Sequence, residues 1–135
     1  MAEPSADAEL GDAAYGDAKA VTYEADESIT AGDAVTIDST NQLLQAANSG
    51  DTNGKVVGVA GEDAEDGDNI TVYVNGAVVA NVESGVSAGE ELASSTTDGQ
   101  LASGTGGIVA LTSAGSVDGL SAGYGLGSNA AVVEL

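Results

Sequence analysis

Residues 69–83, Asn-Ile-Thr-Val-Tyr-Val-Asn-Gly-Ala-Val-Val-Ala-Asn-Val-Glu, constrain the fold more than any other part of the chain. Ile70, Val72 and Val74 alternate with Thr71 and Tyr73, which is the period of two of a half-buried strand. Asn75-Gly76 supplies two residues that tolerate positive φ, so the sequence predicts a β-hairpin turning at that point. The returning run 77–82 is almost continuously apolar and rich in valine. It predicts a strand covered on both faces, inside a sheet or against another chain.

Other short runs share this grammar. Val21 and Tyr23 alternate about Thr22, and Val35 and Ile37 alternate about Thr36 before a polar turn and a return at Leu43 and Leu44. Apolar runs follow at 55–60, 108–111 and 130–135, with Gly, Ser, Thr, Asp and Asn between them. Runs this short argue for an all-β fold, because helices of ordinary length need longer periodic segments. The stretches 48–54 and 123–127 read as loops, and 117–123 as a single helical turn. One phrase recurs: Ile29-Thr-Ala-Gly-Asp-Ala-Val35 followed by Asn41-Gln42-Leu43 is echoed by Val86-Ser-Ala-Gly-Glu-Glu-Leu92 followed by Gly99-Gln100-Leu101. A duplicated β-turn-β unit and a mere reuse of turn chemistry both account for the echo.

The chain of 135 residues has the length of one domain, and with no Phe, no Trp and four Tyr its core must come from Val, Ile, Leu and Ala. Residues 20–135 are read as that domain. Residues 1–19 are read as an acidic arm, mobile in isolation or ordering on a partner with Tyr15 as anchor. Without Cys there are neither disulfides nor thiolate chemistry.

A formal charge of −20, from 22 acids against Lys19 and Lys55, repels phosphate backbones and anionic headgroups. The sequence therefore predicts no nucleic-acid partner and no membrane partner. It also contains no apolar run near the roughly 18 residues of a membrane span, and its start lacks the basic and apolar regions of a signal peptide, so a soluble chain is expected. Acids scattered over the whole length, with Ala and Val in place of bulkier groups, point to adaptation to high salt. In molar salt the Debye length falls to about 3 Å and self-repulsion is screened.

Catalytic chemistry finds little to work with. Without His, Cys or Arg the usual base, thiolate and oxyanion clamp are missing, and the chain is not read as an enzyme. The densest acidic cluster, 62–68, offers Asp63, Asp66 and Asp68 as candidate cation ligands. In an EF-hand register with Gly67 at the sixth position, however, Ala64 falls on a ligand position and Tyr73 replaces the bidentate Glu, so a solvated turn is the preferred reading. No metal or cofactor is assigned. The Gly-rich stretches 104–107 and 123–127 lack the Lys and the strand-to-helix setting of a phosphate loop. Asn69-Ile-Thr71 is a formal glycosylation sequon at the mouth of a strand.

The order of phrases carries a resemblance. Ile29-x-Ala-Gly-x-x-Val35, then Gly54-Lys-Val-Val-Gly-Val-Ala60, Gly67, Ile70-x-Val-x-Val-x-Gly76, Ala88-Gly89-x-x-Leu92, Gly107-Ile-Val-Ala-Leu111 and a closing Val132-Val-Glu-Leu135 resemble the capsid (head) decoration proteins of tailed viruses. With the acidic composition, the chain looks like a member from a virus of halophilic archaea. The resemblance implies a small β-barrel or β-tulip domain assembling as a homotrimer on the outer surface of the capsid, where it binds and cements the major capsid protein. The near absence of Lys and Arg departs from that pattern, and residues 1–19 match no phrase of it. Candidate capsid or oligomer contacts are Tyr15, Val78, Val79, Val82, Val132 and Val133. A tail-tube or spike component and a halophilic surface-layer or adhesion module are the alternatives.

Overall fold

The computed structural model describes residues 10–13, 18–50, 55–115 and 129–135. Tyr15, the helical turn expected over 117–123 and the loop expected over 123–127 lie outside the described residues. All regular structure in the described residues is strand: β1 (Lys19–Glu24), β2 (Ala34–Ile37), β3 (Leu44–Ala46), β4 (Gly58–Ala60), β5 (Asn69–Asn75), β6 (Ala77–Asn81), β7 (Glu91–Ser94), β8 (Leu101–Ser103), β9 (Ile108–Ala110) and β10 (Ala130–Glu134). The all-β class read from the sequence is the class observed. The strands form two antiparallel five-stranded sheets, ordered β1-β5-β4-β2-β3 and β6-β10-β9-β7-β8. Neither closes into the expected barrel. The outer strands of each sheet touch at one parallel bridge, Ala25 to Leu44 in the first and Val82 to Leu101 in the second.

The expected hairpin at Asn75-Gly76 is a corner instead. Asn75 still pairs with Lys19 in the first sheet, while Ala77 already pairs with Glu134 in the second. Gly76 makes the transition at φ +100°, with its backbone so close to Ala18 that a Cβ would lie 2.8 Å from the Ala18 Cα. The Leu135 N–H closes the corner by donating to the Gly76 carbonyl. Strand β5 already has β1 and β4 on its two sides, so β6 finds its apolar partner in β10.

The two sheets are one unit built twice. Strands β1 to β5 and β6 to β10 follow the same order, and the pairings repeat residue for residue. Val35–Ala46, Thr36–Gln45 and Ile37–Leu44 recur as Leu92–Ser103, Ala93–Ala102 and Ser94–Leu101. Val21–Val72 and Thr22–Thr71 recur as Val78–Val133 and Val79–Val132. The turns repeat as well. Gly32 and Gly89 both have φ +90°, and their N–H groups donate to the carbonyls of Ala60 and Ala110. The phrase recurring in the sequence thus lies on equivalent turns and strands of two like units.

Each unit folds around its own inward residues. Ala25, Ile29, Val35, Leu44, Ile70 and Val72 make the core of the first. The second gathers Val82, Val86, Leu92, Leu101, Ala131 and Val133, and its core also takes in Ala34, Ala47 and Val59 from the first unit. That shared apolar packing makes the two units one folding body. A small outer cluster of Ala77, Val79, Ala130 and Val132 covers the other face of β6 and β10.

Candidate interaction surface

The valines proposed as contacts are closed off within the chain itself. Val78, Val82 and Val133 belong to the inner core, Val79 and Val132 to the outer cluster, and none is more than 1% exposed. A continuously apolar strand fits burial in its own fold as well as burial against another chain, and here the former holds. These five residues are structural. The edge of β6 is also occupied. The Gly11 N–H donates to the Val79 carbonyl at 2.8 Å, the Val79 N–H donates to the Asp12 carbonyl at 2.9 Å, and Ala13 bridges Val78. Residue 11 has to be glycine because a Cβ there would lie 2.9 Å from the Ala60 carbonyl oxygen.

The acidic cluster makes turns rather than a cation cage. The Ala31 N–H donates to Asp63 Oδ1 at 2.8 Å, the Glu65 N–H to Asp68 Oδ2 at 3.0 Å and the Thr71 N–H to Glu62 Oε2 at 2.9 Å. Asp66 is exposed. No group of three or more potential ligands is assembled among the described residues. Asn69 is exposed as the first residue of β5.

Among the described residues every acid is exposed or half-buried. So dense a like-charge coat weakens the fold at low ionic strength, and the thermal midpoint is expected to rise steadily from low to molar NaCl. A midpoint indifferent to salt would contradict this.

One carboxylate lies in the seam between the units. Asp33 accepts the Thr30 N–H at Oδ2, 3.0 Å away, and the Asn81 side-chain amide at Oδ1, 3.5 Å away. Gly99 packs so tightly on it that a Cβ would fall 2.5 Å from the Asp33 Cγ. Burial raises the Asp33 pKa above the usual aspartate value, and the charges of Asp63 and Asp98 push the same way against those hydrogen bonds. Glu90, its counterpart in the second unit, is shifted down by its bonds to the Ser103 hydroxyl and the Ser87 N–H. With the folded-state value raised, ionising Asp33 costs stability. The cost is absent below the unfolded-state value near 4 and complete once pH exceeds the raised one. Asp33→Asn should therefore melt higher than the natural chain at pH 7, with the difference shrinking as pH falls through the raised value and gone below about 4. A lower midpoint at pH 7 would refute this assignment.

Apolar groups do reach the surface elsewhere. Val57 and Val109 are 37% and 39% exposed, and Leu10 is 38% exposed. Val56, Val57, Val74 and Leu135 line a shallow groove of about 150 Å³ where the units meet, its floor formed with Gly58, Gly106, Gly107 and Ile108. Beside it, a wider cleft of about 520 Å³ is lined by Ser49, Lys55, Val56, Ala93, Ser94, Thr105 and Gly106. Lys19, the other cation, pairs with Asn75 next to the groove residue Val74. Sequence reasoning misses Val57 and Val109 because each sits in an unbroken apolar run, where period two gives no inside or outside. The one available signal is the register of the repeat, which sets Val109 of the second unit against Val59 of the first. Val59 pairs with Ala34 and Tyr73, whereas Val109 pairs with Glu91 and Glu134, two exposed acids. No protein-family model matches the chain, and no curated protein matches it.

Proposed function

We propose that this chain is a non-enzymatic structural protein of a virion, sitting on the outer face of a tailed-virus capsid and tying together its lattice of major capsid protein in a high-salt environment. The observation that carries the reading is the combination of a doubled β body, whose second core takes in residues of the first unit, with a surface densely coated in acids and a seam groove lined by apolar residues and glycines. A body of that kind keeps a particle dispersed in brine, while the groove offers a shell protein apolar burial next to the cleft that holds Lys55, with Glu91 bonded to the Gly107 N–H at its margin. The ordered phrases of the sequence point the same way, and with them comes assembly as a ring of three. Adding the purified chain to shells that lack it, in molar NaCl, tests the reading by co-sedimentation. Binding that saturates at a fixed ratio to the major capsid protein is expected, and absence of binding to intact shells would refute it. Binding to isolated tails alone would favour a tail-tube or spike role.

A further inference from the structure

The doubling of the unit exposes an asymmetry at its edges. In the second unit, the free edge of β6 is filled by residues 11–13, which bond both the N–H and the carbonyl of Val79. The register equates Val79 with Thr22 on β1, since Thr22 faces Thr71 as Val79 faces Val132. The Thr71 carbonyl accepts the Gly61 N–H, and the Thr71 N–H goes to Glu62. Its backbone groups therefore point away from β1, which makes Thr22–Thr71 a non-hydrogen-bonded pair and turns the Thr22 N–H and carbonyl to the open edge. Among the described residues nothing occupies that edge. Thr22 is exposed, and its neighbours on that face, Ala20, Thr71 and Tyr73, are uncharged, with Glu24 at the end of the strand.

We propose that the β1 edge is a strand-pairing surface for a second copy of this chain, joining antiparallel about a two-fold axis at Thr22. The geometry is self-complementary. Two Thr22 residues face to face exchange both backbone bonds, as a hydrogen-bonded antiparallel pair does, and the same register sets Ala20 of each copy opposite Glu24 of the other. Between Lys19, where the strand carries a bulge, and Glu24, the stretch 20–23 is uncharged and rich in Val, Thr and Tyr, a template for such addition. At the axis neutral Thr22 meets its own copy, and each Glu24 faces an alanine rather than an acid, so the contact sets no like charges directly opposite. This contact goes beyond the capsid reading and does not depend on it: a ring of three closed through other faces leaves β1 free to link one ring to another, and a chain without such a ring forms a dimer.

Light scattering in molar NaCl on the full chain tests the contact. The natural chain should have the mass of an even number of copies, and Thr22→Pro should halve it. Proline removes an N–H that bonds nothing among the described residues, at an edge position where sheets accept it, so the circular dichroism should persist. If Thr22→Pro fails to fold, Thr22→Asp keeps the backbone and sets two carboxylates face to face at the axis, and it too should halve the mass. A natural chain with one or three copies, or a folded variant of unchanged mass, would overturn the proposal. Co-sedimentation of the same variants with shells reports on the capsid reading separately.

Discussion

Replacing Gly76 by valine is expected to destabilise the chain by about 3 kcal/mol or more. Two costs add there. A β-branched residue at φ +100° is strained before any contact is considered, and its Cβ would meet the Ala18 Cα at 2.8 Å. Neither side can yield, because Ala18 leads directly into β1 and Gly76 is held by the Leu135 N–H. Gly85→Val is the matched control. It also replaces a glycine at positive φ, +106°, but nothing lies within 4 Å of the added Cβ, so only the strain remains. Urea unfolding in molar NaCl should show the Gly76 variant losing clearly more than the control. Equal losses would mean that the corner is not the tight passage between sheets described here.

Leu44→Ala and Leu101→Ala should each cost about 2–5 kcal/mol, the range for truncating a leucine with no solvent exposure. They occupy the same place in the two units, each at the bridge that links the outer strands. Their surroundings differ. Leu44 sits in the smaller core of the first unit, and Leu101 in the larger core that takes in Ala34, Ala47 and Val59. Because the clusters are separate, the double variant should lose the sum of the two within about 0.5 kcal/mol. Because the units share packing, each variant should still unfold in one transition. Two resolved transitions would show that the units fold independently.

Strand positions were legible in the sequence because alternation about Thr22 and Thr71 reports which side chains face a core, whereas Thr36 is buried in the middle of β2 and Tyr73 packs on the second unit's core. The all-β class followed from the same runs. Partners were not legible. Asn75-Gly76 has the chemistry of a hairpin turn, and that chemistry serves equally well where a strand leaves one sheet for the next. The choice is made by β10, far along the chain, whose Val132 and Val133 pair with Val79 and Val78. Of the apolar run 55–60 only the last three residues, β4, join the sheet, and Val57 faces outward. The same limit explains the five valines read as contacts, since burial within one chain and burial between chains leave an identical pattern of letters. The repeated phrase held more than it showed. Turn glycines and the apolar character of inward residues recur in both units, while the other face differs, polar at Thr22 and Thr71 and apolar at Val79 and Val132.

Cryo-electron microscopy of a purified tailed virus carrying this chain, imaged in its native salt, tests the functional account most directly. The account predicts density for the ten-stranded body outside the icosahedral shell, in contact with the major capsid protein and at a fixed ratio to it. Density for the chain confined to the tail, or particles containing none of it, would contradict the account.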